Sequence, residues 1–462
     1  MKRAILPMIL GAVLGAACAA GAAATDSSFD ERMLDALHEQ GAISEDRYRE
    51  LKREVQSADH PAPLPPVASA AQDPEAWTAS WNNGFRIERN DGLFKLKLGG
   101  RVQVDAAYIA PNNALNEWAM LPTASGGLDE DLRGFGAELR RARMFMEGSF
   151  FEHGAFKAEY DFAGGDADFN DVWVGLQKLP YVGRVRVGHV KEGFSLNQQT
   201  SSKYITFLER ALPSDAFALG RNTGVALNNT AFEERMSWNV GGFAETGAYG
   251  DRDRSNRSNY NVTTRLTGLP LYEDGGRELI HLGLGYTHKF LNDTIGYGGR
   301  EVHLSEDLVD TGDILAKGAD QLGLEFASVW GPLSLQAEWM SAWVSQIGGD
   351  DLDFTGVYVQ ASWFVTGESR AYNRGGGHFD RVKPTHRFAP ARGEWGALEL
   401  ASRYSYLDLN DENIRGGTQN NVTLGANWYL YSNLRLMLNW VHSHRNGIGD
   451  QDAVQTRLAV DF

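Results

Sequence analysis

Apolar and polar residues alternate along most of the chain after about residue 93. In the last segment Val454, Leu458 and Val460 share one parity with the terminal Phe462, whereas Arg457 lies on the other. Because successive side chains of a strand point to opposite faces, this segment has one apolar and one charged face. Such a strand suits a membrane-spanning barrel, and by itself it also suits the edge of a soluble sandwich.

The alternation predicts sixteen strands. Most are close to the roughly 9–11 residues that a tilted strand needs to cross a bilayer. They are 93–109, 141–150, 154–163, 168–178, 183–190, 223–230, 236–244, 260–267, 279–290, 321–329, 333–345, 354–365, 395–407, 421–430, 434–442 and 453–462.

The connections between these segments alternate in length. Short links such as 151–153 and 431–433 take turns with long, polar links such as 110–140 and 191–222. Short turns on one side and long loops on the other are typical of bacterial outer-membrane barrels and have no counterpart in a sandwich. The long connection 366–394 falls on the turn side, which implies either an unusually large turn or a miscounted hairpin.

The charged parity must face the lumen, because Arg or Lys on the lipid face costs about 2–4 kcal/mol at the bilayer midplane. That parity carries more basic than acidic side chains. The basic ones are Lys95, Lys97, Arg101, Arg141, Arg143, Lys157, Arg184, Arg186, Arg265, Lys289, Arg403, Arg435 and Arg457. An arginine-rich wall suits anions, although paired charges would also simply keep a pore hydrated.

The sequence predicts four regions. Residues 1–24 have the basic start, apolar run and small-residue end of a secretory signal peptide. Residues 25–57 form a short periplasmic helical segment, which either self-associates as a coiled coil or stays a loosely ordered amphipathic tail. Residues 58–84 form a proline-rich linker, and residues 85–462 form an all-β, transmembrane antiparallel barrel.

Composition narrows the function. The formal net charge of -16 argues against a nucleic-acid partner. The single cysteine, Cys18, lies in the predicted signal peptide, so the mature chain would have neither a disulfide nor a catalytic thiol.

The link 191–222 is more apolar than an exposed loop should be. If it folds inward, Phe194, Tyr204, Phe207 and Leu208 would be buried and the lumen would narrow. Lys191, Lys203, Arg210 and Arg221 would then line the constriction.

Several stretches, taken in order, resemble the phosphate-selective porins O and P of Gram-negative outer membranes. They are RRAR (140–143), GHVKEGFS (188–195), TSSKYITFLER (200–210), GRNTGV (220–225), ARGEWGALELASRYS (391–405) and the end of the chain from 427 to 462. The resemblance implies a trimeric barrel of 16 strands with an inward-folded third loop and a basic pore. It also implies passive diffusion of small anions, phosphate among them, and recognition of Phe462 by the barrel-assembly machinery.

The expected pore and anion-binding residues combine this resemblance with the strand parity. They are Lys191, Lys203, Arg210, Arg221, Arg101, Arg141, Arg143, Lys95 and Lys97. A general porin that passes cations or sugars is the alternative, and it would have carboxylates at its narrowest point. A barrel enzyme is a more remote alternative, because no catalytic, metal-binding or cofactor motif stands out.

Overall fold

A computed structural model describes His38 and residues 44–58, 73–122, 127–247, 250 and 259–462. The chain divides into two units, residues 1–72 and 73–462. The predicted signal peptide and most of the predicted linker lie outside the described residues.

The described part of the first unit contains helix α1 (Glu45–Ala58). It begins directly after Ser44, whose carbonyl accepts the first helical hydrogen bond, from Tyr48 at 2.8 Å. Its first turn carries Glu45 and Asp46, which suit the positive end of the helix dipole. Among the residues that the structure describes, no helix is both long and apolar enough to cross a membrane.

The second unit is built on one large antiparallel sheet, of which sixteen strands close into a barrel. The barrel strands are β3 (Phe94–Pro111), β4 (Gly134–Phe150), β5 (Gly154–Asp161), β6 (Asp168–Leu179), β7 (Gly183–Lys191), β8 (Arg221–Ala231), β9 (Met236–Ala244), β10 (Tyr260–Glu273), β11 (Glu278–Phe290), β13 (Ile314–Trp330), β14 (Leu333–Gln346), β15 (Leu352–Phe364), β18 (Ala397–Asp411), β19 (Ile414–Tyr431), β20 (Leu434–Arg445) and β21 (Gly449–Asp461). Each of the sixteen predicted segments corresponds to one of these strands.

The remaining elements are short. They are β1 (Trp77–Trp81), β2 (Phe85–Arg89), α2 (Asn113–Ala119), α3 (Leu196–Gln199), α4 (Leu212–Phe217), β12 (Thr294–Ile295), β16 (Tyr372–Asn373), β17 (His378–Phe379) and the 3-10 turns Asp274–Gly276 and Pro390–Arg392. Strands β1 and β2 form a hairpin that pairs with the start of β3, so the end of the predicted linker 58–84 is a strand in the structure.

The barrel closes where its last strand meets its first. Strand β21 pairs with β3 from Asp461 opposite Arg101 to Gln451 opposite Pro111. At the centre of this seam Arg457 donates to both carboxylate oxygens of Asp105, at 2.7 and 2.6 Å. The final residue extends the closure, because the backbones of Phe462 and Gly100 exchange two hydrogen bonds.

The two faces of the strands follow the predicted parity. Leu438, Val454 and Leu458 are exposed on the outside of the barrel, whereas Asn439 and Arg457 are 1% exposed on the inside. The expected register is confirmed, because apolar side chains meet lipid and polar ones line the interior.

The strands are longer than predicted on the loop side. β4, β13 and β19 each begin seven residues earlier than expected. The alternating pattern does not predict these extensions, because their sequences are polar and rich in glycine. Strand residues that rise above the bilayer need no apolar outer face.

The long connection 365–396, here called the turn segment, is a real feature of the turn side and not a miscounted hairpin. It contains β16 and β17, and it folds into the barrel. Its Arg370 donates to Gln336 of the wall at 3.0 Å, and Gly377 accepts from Arg265 of the wall at 2.8 Å.

Candidate functional site

Residues 192–220, here called the third loop, lie against the barrel wall on the side opposite their own strands. Wall side chains donate hydrogen bonds to four backbone carbonyls of the loop. These bonds are Arg435 to Ile205 (2.9 Å), Asn427 to Thr206 (2.7 Å), Arg457 to Leu208 (2.6 Å) and Arg403 to Glu209 (3.0 Å). The polar lumen parity thereby satisfies a loop backbone that lies away from solvent.

Apolar side chains of the loop also pack against the wall. Phe194, Phe207 and Leu208 are at most 1% exposed, which confirms their expected burial, whereas Tyr204 is only half-buried. Phe194 lies over two glycines of the wall, where an added Cβ would come within 3.0 Å (Gly285) and 3.1 Å (Gly323) of its ring. The small residues of β11 and β13 therefore provide the space that this ring occupies.

Wall and neighbouring carboxylates bind the short helices of the loop. Glu338 accepts from the backbone N–H groups of Leu196 and Asn197, at 2.8 and 2.7 Å, at the start of α3. Glu301, which enters the lumen from the connection between β11 and β13, accepts from Leu212 at the start of α4 at 3.1 Å. Both contacts satisfy amide donors that a helix start leaves unpaired.

Glu192 begins the loop as a fully buried carboxylate without a cationic partner in the described structure. It accepts from Asn222 at 2.7 Å, Asn261 at 3.0 Å and Thr263 at 2.5 Å. Burial raises the pKa of Glu192, and these three hydrogen bonds oppose the rise. The arrangement fixes the point at which the chain leaves β7.

Glu209 lies among three arginines. Its carboxylate is 2.9 Å from Arg140, 3.6 Å from Arg141 and 2.6 Å from Arg457. Burial alone would raise the pKa of Glu209, but the three guanidinium groups outweigh it and hold that pKa well below the usual range. The loop is thus bound to both sides of the β21–β3 seam by charge.

A cavity of about 290 Å³ lies between the third loop and the wall. Its charged lining is mainly basic, with eight cationic side chains and two carboxylates. The basic residues are Arg101, Arg141, Arg143, Lys157, Arg186, Lys191, Arg210 and Arg221, and the acidic ones are Glu159 and Asp171.

Both acidic residues are already bound by cations. Glu159 lies 3.1 Å from Lys157 and from Arg101. Asp171 lies 2.9 Å from Lys157 and 3.0 Å from Arg221. They therefore hold the basic side chains in place and leave the cavity with an excess of positive charge.

Lys191 and Arg210 donate to neutral carbonyls instead of carboxylates. Lys191 is 2.8 Å from the oxygen of Gln198, and Arg210 is 3.3 Å from those of Asn197 and Thr200. Neither forms an ion pair with any residue that the structure describes. Burial lowers the pKa of Arg210 to about 10, so the side chain stays charged at neutral pH.

Lys203 lies in an adjoining part of the lumen, near Arg101 and Arg381. Its Nζ atom is 3.9 Å from Asp461. Burial lowers the pKa of Lys203 to about 8, and the positive charge of Arg101 adds to this effect. The charge of Lys203 therefore changes close to neutral pH.

Lys95 and Lys97 lie elsewhere. They line a separate cavity of about 380 Å³ together with Arg184. Lys95 is 3.6 Å from Glu88, and Lys97 is 3.8 Å from Glu147. The structure thus brings six of the nine expected residues into one cavity, places Lys203 beside it, and separates these two.

The sequence did not identify two participants. Arg140 faces inward with Arg141, because a β-bulge opposite Gln103 and Val104 disrupts the alternation. His378 of the turn segment also lines the 290 Å³ cavity. A bulge leaves no clear trace in the hydrophobic pattern, and an inward-folded turn is indicated only by its length.

A closed barrel with an apolar exterior and a polar, charged interior is the architecture of an outer-membrane channel of Gram-negative bacteria, a porin. The chain belongs to the family of phosphate-selective porins O and P, whose family model matches residues 126–462.

Two relatives are similar over most of the chain. An uncharacterized protein of Caulobacter vibrioides is 29% identical over 433 residues, which cover 87% of this chain and 82% of the relative. Porin O of Pseudomonas aeruginosa is 26% identical over 428 residues, covering 82% and 91%.

Solved structures with related folds include the anion-selective porin from Comamonas acidovorans, with 14% identity, a TM-score of 0.48, and coverage of 80% of this chain and 100% of that one. The outer membrane channel DcaP of Acinetobacter baumannii has 12% identity and a TM-score of 0.48, with coverage of 80% and 97%.

Proposed function

We propose that this porin passes small anions, phosphate or related oxyanions, by passive diffusion and without a chemical step. The observation that carries the proposal is the 290 Å³ cavity, whose basic side chains outnumber its carboxylates by eight to two. Guanidinium groups stay charged at all physiological pH values and match the geometry of oxyanions.

The third loop forms the constriction in this proposal, with Lys191, Lys203, Arg210 and Arg221 at its narrow part. Support comes from the carbonyl partners of Arg210, since a guanidinium group bound only to neutral dipoles keeps its charge available to a passing anion. The paired cations around Glu159 and Asp171 attract an anion less strongly. Such graded sites would favour entry and still permit release.

The chain as a whole is strongly acidic, with a formal net charge of -16. The proposed anion preference therefore arises inside the lumen and not from long-range attraction by the whole protein. Salt screens charges beyond about 10 Å at 0.1 M, so the local cavity lining dominates the selectivity.

We also propose how the chain is exported and how the barrel is assembled in the outer membrane. Residues 1–24 would direct export, and the barrel-assembly machinery would recognise the last strand through Phe462, whose backbone completes the barrel seam. The apolar outer face would meet lipid and the neighbouring copies of a homotrimer. Residues 25–57 would form a helical segment in the periplasm.

Reversal potentials in planar bilayers under a salt gradient test the anion preference. We expect a preference for chloride over potassium, and inhibition of the chloride current by millimolar phosphate. Lys191→Met and Arg210→Met should each reduce the preference, whereas Arg277→Gln, on an exposed turn, should not. A cation preference of the unmodified channel would contradict the proposal and favour the general-porin alternative.

A further inference from the structure

The turn segment reaches deep into the lumen and contacts the third loop. Phe379 of β17 is 1% exposed and packs in one apolar cluster with Leu196 of the third loop and Leu279 of the wall. The guanidinium group of Arg370 lies 3.5 Å from the centre of the Phe379 ring. The residue before Phe379, His378, is therefore held at a fixed place inside the barrel.

His378 lies where two cavities of the lumen adjoin. It lines the basic 290 Å³ cavity, and it also lines a cavity of about 640 Å³ that extends to the turns between β6 and β7 and between β8 and β9. Arg186 and Gln199 are shared by the two cavities in the same way. A solute that leaves the basic cavity toward the turn side passes these three side chains.

One hydrogen bond fixes the tautomer of His378. Its Nδ1 atom is 2.9 Å from the backbone carbonyl of Phe379. A carbonyl can only accept, so Nδ1 carries the hydrogen and Nε2 of the neutral ring is an acceptor. Nε2 has no hydrogen-bond partner among the residues that the structure describes.

We propose that His378 is a proton-dependent selectivity residue at the junction of the two cavities. The neutral ring presents an acceptor to an anion, which is unfavourable, whereas the protonated ring presents an N–H donor and a positive charge. Protonation therefore increases the preference of the junction for anions. This inference rests on the proposed anion-conducting function.

The groups that face His378 from neighbouring elements are mostly cationic. They are Arg184, Arg186 and Lys191 of β7, Lys178 of β6, Arg265 of β10, Asp380 of the turn segment and Glu234 of the turn between β8 and β9, together with the charged lining of the 290 Å³ cavity. Arg374 lies 3.4 Å from Glu234 and offsets its charge.

Burial lowers the pKa of His378 below the ordinary histidine value, and Arg265 and Lys191 contribute to the lowering. The hydrogen bond to Phe379 and the charge of Asp380 oppose it. The ring is thus neutral at neutral pH and becomes charged on acidification.

Reversal potentials of the full-length channel at about pH 8 and about pH 5 test this inference. We expect the ratio of chloride to potassium permeability to rise about threefold more in the unmodified channel than in His378→Gln, as one added charge at a few ångströms predicts. His378→Arg should show a higher ratio than His378→Gln at both pH values, because arginine stays charged. His378→Asn provides a second neutral variant, and heat-modifiability on gels verifies that each variant is folded.

His153→Gln is the matched control, because His153 lies in an exposed turn and lines neither cavity. It should titrate like the unmodified channel. An equal pH response in the unmodified channel, His378→Gln and His378→Asn would overturn the inference while leaving an anion-selective channel. A cation preference of all these channels at both pH values would overturn the proposed function itself.

Discussion

Arg457 and Glu209 lie 2.6 Å apart, although 248 residues separate them in the chain. Arg457 belongs to the last strand and Glu209 to the third loop. The same guanidinium group binds Asp105 of the first barrel strand, so it joins the barrel seam to the loop. One side chain therefore contacts both the barrel seam and the third loop.

Replacement of Glu209 should loosen the third loop. Glu209→Gln leaves three arginines without this carboxylate, and loss of one partner of a buried ion pair costs about 3–5 kcal/mol. We expect a lower free energy of unfolding, measured by tryptophan fluorescence in urea, and a noisier single-channel current. Glu152→Gln, on an exposed turn, is the control. An unchanged unfolding curve and quiet current would show that Glu209 does not hold the loop.

The contact of Glu209 should persist in mild acid. Its pKa is held well below the usual range, so its stabilising contribution is present above the unfolded pKa and is lost only as pH falls through the folded value. We expect the free energy that Glu209→Gln removes to be the same at about pH 7 and about pH 5. A smaller difference at the lower pH would contradict the pairing.

Loss of the Lys203 charge should lower the anion preference of the channel at alkaline pH. Because its pKa is about 8, its charge is lost as pH rises through that value. We expect the chloride preference to fall between about pH 7 and about pH 9, and Lys203→Arg to abolish this fall since arginine stays charged. Reversal potentials measure both. If the chloride preference falls equally in Lys203→Arg, a group other than Lys203 causes the fall. Lys203→Glu should weaken the chloride preference at every pH in this range.

The ring of Phe194 should need the space that Gly323 leaves by having no side chain. Gly323→Ala places a methyl group 3.1 Å from the ring, and overpacking of this kind costs about 1–3 kcal/mol. Combination with Phe194→Leu should restore part of the stability, which urea unfolding measures as a coupling between the two changes. Gly268→Ala, whose new methyl group meets open space, is the control. Additive effects would show that the two residues do not compete for volume.

Arg381 should hold the turn segment inside the barrel. It donates to Tyr204 of the third loop at 3.0 Å, to the Ser432 carbonyl at 2.6 Å and to Asp461. Arg381→Met removes the bonds to all three partners, so we expect faster tryptic cleavage after Arg374 of the same segment, detected by intact mass. Arg415→Gln, on the loop side, should leave the rate unchanged. Equal cleavage rates in both variants would mean that the other contacts of the segment hold it without Arg381.

The alternating pattern was sufficient to predict the strands and their orientation. Leu458 and Arg457 show why, because their side chains must point to opposite faces and only the apolar one is stable against lipid. The basic character of the wall followed from the same parity, and most expected site residues share one cavity for this reason.

Parity alone could not predict which charges meet. Arg457 and Asp105 are 352 positions apart, and their contact exists only because the sheet closes on itself. The bulge that turns Arg140 inward and the burial of Glu192 among neutral donors also depend on neighbours that are remote in sequence.

The sequence by itself determined the number of strands, the lipid face and the lumen face, since these follow from local alternation and the cost of burying charge in lipid. The tertiary structure alone decided which lumen charges are neutralised, where the third loop binds, and that the turn segment enters the barrel to place His378 between two cavities. These contacts join residues that are distant in the chain. The local alternation of apolar and polar residues does not specify which side chains meet across a closed barrel.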